Sequence, residues 1–93
     1  MIIGVMTVML RIPGARSLKE KRMVVRSLKD RIRNTFNVSV AEIGDQEKWQ
    51  SVTIGIASIG LNKGFVNQGL DTALEFIRTF RGAELVDFSI ELL

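Results

Sequence analysis

The eleven positions from Ile2 to Ile12 (IIGVMTVMLRI) carry one charged side chain, Arg11, and are otherwise dominated by aliphatic and β-branched residues. A run this apolar is far too short to span a bilayer as a helix. It suits a strand at the centre of a sheet, covered on both faces. Pro13-Gly14 ends it, because proline cannot donate to a strand ladder and glycine permits a sharp turn.

Beyond that turn, Ser17 and Glu20 form the S-x-x-E pattern of a capping box, and a helix is predicted over 18–35. At 100° per residue, Leu18, Val24, Val25, Leu28 and Ile32 share one side. Lys21 falls within that apolar arc, so its stem is expected to be partly buried with its ammonium reaching out to water. Asn37 turns the chain into an alternating strand, VSVAEI (38–43), followed by a polar connection over 44–48. Trp49, the sole tryptophan, is expected to act as a lid on the core. From 50 to 59, Val52, Ile54 and Ile56 alternate with Thr53, Gly55 and Ala57, giving one large apolar face and one small face.

Asn62 caps a second helix with a stripe of Val66, Leu70, Ala73, Leu74, Ile77 and Phe80. Gly69 weakens that helix locally and is expected to permit close packing, and Gly82 ends it. In the last strand Val86, Phe88, Ile90 and Leu92 alternate with Asp87, Ser89 and Glu91. The order β-α-β-β-α-β predicts one α+β domain over 1–93 with a ferredoxin-like architecture. Its two helices cover one face of a four-stranded antiparallel sheet, with the first and third strands central. The second and fourth strands, which carry acids, are the edges.

Charge is distributed unevenly. The segment 11–33 holds nine Lys and Arg against two acids, a net of +7. The remainder holds four bases and eight acids, a net of −4, so the overall +3 hides a polarised molecule. Lys19, Arg22, Arg26, Lys29 and Arg33 fall within an arc of about 80° on the first helix, in a row of about 21 Å. Arg11 and Arg16 are expected to extend the row past the helix start. Such a row matches several phosphates of a nucleic-acid backbone, with arginine offering bidentate contacts. These seven residues are the predicted nucleic-acid contacts, and the expected partner is RNA or a ribosomal particle.

Other chemistry is scarce. There is no cysteine, which removes disulfides and thiolate nucleophiles, and no histidine, which removes the usual neutral-pH base and commonest metal ligand. We expect no enzyme activity, no cofactor and no metal. The apolar N-terminus lacks a basic segment and a cleavage site, so a cytoplasmic protein without membrane association is expected. The small sheet face has no aromatic residue on which a base can stack, and is a candidate homo-oligomer contact instead. The Pro13–Ser17 loop, entering a helix N-terminus beside Arg16, is a candidate small-anion site. Glu42, Asp45 and Glu47 are expected to be simply solvated.

The segments Leu10–Arg22 (LRIPGARSLKEKR) and Phe36–Gly44 (FNVSVAEIG), with the pair Trp49-Gln50, resemble the YlxP-like family of small bacterial proteins along essentially the whole chain. That resemblance implies a ferredoxin-like α/β fold. It also implies an RNA or ribosome context, because genes of the family often neighbour transcription-elongation, translation-initiation and ribosome-maturation factors. It supplies no catalytic residues.

Overall fold

Four segments with period-2 alternation and two with a helical stripe become β1 (Ile2–Arg11), α1 (Leu18–Thr35), β2 (Ser39–Gly44), β3 (Ser51–Gly60), α2 (Lys63–Thr79) and β4 (Glu84–Leu92). The computed structural model describes residues 1–93. The sheet is antiparallel throughout, in the order β2-β3-β1-β4, so β1 and β3 are central and β2 and β4 are edges. Val8 sits at the middle, opposite Ile54 on one side and Phe88 on the other. This is the ferredoxin-like α+β arrangement.

Both helices begin where the sequence places their caps. Ser17 Oγ accepts the Glu20 N–H at 3.1 Å, and Glu20 Oε2 accepts the Arg16 N–H at 3.2 Å, a capping box whose return bond is shifted one residue ahead of the cap. Asn62 Oδ1 accepts the Phe65 N–H at 2.8 Å. After α2, Gly82 takes the left-handed conformation (φ 98°), which only glycine adopts without strain.

The core lies between the helices and one face of the sheet. Met6, Val8 and Leu10 of β1 and Val52, Ile54 and Ile56 of β3 pack against Val25, Leu28 and Ile32 of α1 and Val66, Leu70 and Ile77 of α2. Each such side chain contributes about 1.5–3 kcal/mol relative to exposure, so this layer is the main stabilising term. Phe36 and Phe76 close one end edge-to-face, centroids 5.7 Å apart.

Three expectations are corrected. β1 is covered on one face only: Ile3, Val5 and Thr7 are half-buried on the other, and Met9 and Arg11 are exposed there. Both β-α-β crossovers deposit their helix on the same side, leaving the second face open. In β4, Met9 pairs with Asp87 but Leu10 pairs with Leu85, so Val86 is the extra residue of a bulge. Leu85 turns onto the core and Val86 faces solvent. Finally, Gly69 faces open space, while the glycines that let α2 approach are Gly4 and Gly60, where a Cβ on Gly60 would lie 2.9 Å from Val66 Cγ2. A Cβ on Gly4 would lie 2.5 Å from Val66 Cγ1 and 2.8 Å from Leu70 Cδ1.

Candidate nucleic-acid interface

α1 rests on the sheet through Val25, Leu28 and Ile32, which fixes where its two flanks point. On the inner flank Val24 and Arg31 meet α2, with the Arg31 guanidinium 5.6 Å from the Phe80 ring centroid. The outer flank runs beside edge strand β2 and carries the basic row. Lys19, Arg22 and Arg26 are exposed and Lys29 is half-buried. None of these four side chains takes part in an ion pair or a hydrogen bond within the chain, whose ion pairs are Lys21–Glu42, Arg33–Asp30, Lys48–Asp45 and Arg78–Glu75.

The two ends of the predicted row are less uniform. Arg33 Nη2 donates to the Val40 carbonyl of β2 at 2.8 Å, and Nη1 lies 3.6 Å from Asp30 Oδ1, so this arginine is tied to the fold. Arg16 stands exposed at the start of α1, its N–H held by Glu20 and its guanidinium unpartnered. Arg11 does not continue the row. As an odd-numbered residue of β1 it shares the open sheet face with Met9, across the sheet from α1. Strand alternation alone would have placed it there, since Leu10 beside it is core. Arg11 lines a shallow depression with Lys48, Trp49, Gln50 and Ser51 at the end of the molecule where α1 begins.

Two residues in this region depart from expectation. Lys21 does not reach solvent: it is 1% exposed. Its Nζ donates to the Asp45 carbonyl and lies 3.8 Å from Glu42 Oε1. Glu42 belongs to β2 and Asp45 to the β2–β3 connection, where Asp45 adopts a left-handed φ of 63°. Burying an ammonium is tolerable only when such partners replace water. Trp49 is not a lid on the core. It is 53% exposed, at the tip of the same connection.

Asp30 is the one acid beside the row, paired with Arg33, and most of the remaining acids lie on other elements. Glu42 and Asp45 serve as counter-groups to Lys21 and Lys48. Glu84, Asp87 and Glu91 lie on β4, at the far edge of the sheet and roughly 14 Å from β2 across three strand spacings. In the anion-site candidate, the N–H groups of Arg16 and Glu20 are already occupied by the capping box. The open sheet face presents no aromatic ring: Thr7, Gly55 and Ala41 form its central row, and Ile43 packs over Gly55. No helix is long and apolar enough to cross a membrane.

Comparison with known proteins places the chain in a family and a fold. A family described as Protein of unknown function (DUF503) matches residues 3–90. A protein of Bacillus subtilis (strain 168), named Uncharacterized protein YlxP, is 42% identical over 66 residues, covering 71% of this chain and 72% of its own. Among solved structures, the de novo designed protein Foldit4 superposes over the whole chain and 97% of its own, with a TM-score of 0.52 at 10% identity. That last likeness concerns the fold alone.

Proposed function

The chain belongs to the YlxP-like DUF503 family, and we propose that it is a small accessory protein that binds structured RNA or the ribosome through phosphates, using the outer flank of α1. The observation that carries this reading is the set of four cations, Lys19, Arg22, Arg26 and Lys29, left without any counter-ion of their own. The two acids of α1 lie outside the arc of these four cations, Glu20 in the helix cap and Asp30 beside Arg33, and the other eight acids lie on other elements, a separation that solubility alone does not require. Phosphate contacts of this kind position a ligand without reading its sequence, which suits a binder of folded RNA. We propose a cytoplasmic location on the same grounds.

The test is charge reversal. A variant with Arg22→Glu, Arg26→Glu and Lys29→Glu keeps its fold, because none of the three contributes to the core. It loses co-sedimentation with ribosomal particles at low salt. Undiminished association of a folded triple variant contradicts the reading.

A second reading has its own observation. Ile43 and Ile59 are 56% and 57% exposed on the open sheet face, and Met9 is exposed on the same face, opposite Thr53. Such a face supports pairing of two copies sheet to sheet, the basic row then docking an acidic protein. In that case sedimentation velocity shows a dimer that dissociates on dilution and is abolished by Ile59→Asp. A strict monomer at all concentrations removes this reading.

A further inference from the structure

We propose that Trp49, flanked by Arg11 and Lys48, is a stacking site for an unpaired base of single-stranded RNA at the end of the α1 row. This rests on the phosphate-binding reading above and specifies which RNA the site takes. Trp49 is the only tryptophan in a chain that lacks tyrosine, and more than half of its surface faces solvent. The exposed part of the indole is accessible for stacking, and the cations beside it distinguish this ring from the exposed Phe65.

The platform is held rigidly although it sits in a turn. Gln50 Nε2 donates to the carbonyls of Pro13 at 3.3 Å and Ala15 at 3.1 Å, and the Gln50 carbonyl accepts the Ile12 N–H at 2.8 Å. On the other side the Lys48 N–H closes the turn onto the Asp45 carbonyl at 3.1 Å, and that same carbonyl is anchored by buried Lys21. The ring is therefore carried on backbone clamped at both sides to the start of α1, where Arg16 and Lys19 begin the row.

The surroundings favour a nucleotide over other aromatic partners. The depression beside the ring is lined by Arg11, Lys48, Gln50 and Ser51, with no carboxylate among them. Lys48 is paired with Asp45 at 3.4 Å, and Glu84 faces Arg11 across the ladder without forming an ion pair. Glu47 lies in the same turn and is exposed. Two cations beside an aromatic face accept the phosphates on either side of a stacked base, and any base has the π face required. A continuous duplex hides those faces, so the occupant is an unpaired nucleotide.

Because Trp49 is the only tryptophan, its fluorescence reports the site directly. A short single-stranded RNA and a blunt-ended RNA duplex are titrated into the protein, while binding is followed separately by the anisotropy of an end-label on each RNA. The single strand is expected to quench Trp49 at saturation. Trp49→Ala is expected to weaken single-strand binding about tenfold, with Trp49→Phe intermediate and duplex binding little changed. An unchanged melting temperature shows that the variants are folded. Unaltered fluorescence while anisotropy reports bound single strand overturns the proposal, as does wild-type affinity in Trp49→Ala. If quenching persists in the Arg22→Glu, Arg26→Glu, Lys29→Glu variant, the α1 reading fails and the stacking site stands. If neither RNA binds, both fail.

Discussion

Lys21 sets the terms at the scale of single residues. It lies one position from Arg22 in sequence, yet its ammonium is buried with the Asp45 carbonyl and Glu42 while Arg22 is exposed. One lysine is a structural latch and its neighbour is available to a ligand. Lys21→Met keeps the apolar stem but leaves that carbonyl and carboxylate unpaired. It is expected to cost about 1–3 kcal/mol, read as a lower urea midpoint with unchanged slope. A midpoint equal to wild type would show that the buried ammonium contributes nothing net. The helical wheel locates Lys21 on the apolar side, but its partners lie 21 and 24 residues further along, and nothing local announces them. Trp49 is the converse case. An isolated large aromatic beside a polar turn is equally compatible with folding inward or standing out, and only the clamp by Gln50 on Pro13 and Ala15 decides it.

Among the elements, glycine positions separate packing from tolerance. Gly4 in β1 leaves room for Val66 and Leu70 of α2, whereas Gly69 within α2 meets nothing. Gly4→Ala is expected to destabilise by about 1–3 kcal/mol through overpacking. Gly69→Ala is expected to stabilise by about 0.5–1 kcal/mol through helix propensity and a less flexible unfolded chain. Thermal melts of the two variants should move in opposite directions, and a shared direction contradicts this assignment. The helix starts were legible because Ser17, Glu20 and Asn62 act on groups within three or four residues. Strand order was legible because apolarity separates β1 and β3 from the acid-bearing edges. The β4 bulge was not: Leu85 and Val86 are both apolar, so alternation cannot say which of them is the extra residue. Proximity in sequence puts Arg11 next to the helix start, whereas strand alternation assigns it to the opposite sheet face.

For the whole molecule, the account turns on segregated charge. α1 presents four unpaired cations on its outer flank, and the acids of β4 lie at the other edge of the sheet. Counter-ions released from RNA phosphates make binding by such a surface depend steeply on salt, by about 0.7–0.9 log units per phosphate. The measurement that decides the matter is the affinity of the intact protein for a structured ribosomal RNA fragment across a salt series, beside the triple α1 variant. The account predicts a log–log slope of about −3 for the wild type, matching the four free cations, and a much shallower slope with weak affinity for the variant. A shallow slope in the wild type, or superimposable curves for the two proteins, would contradict it.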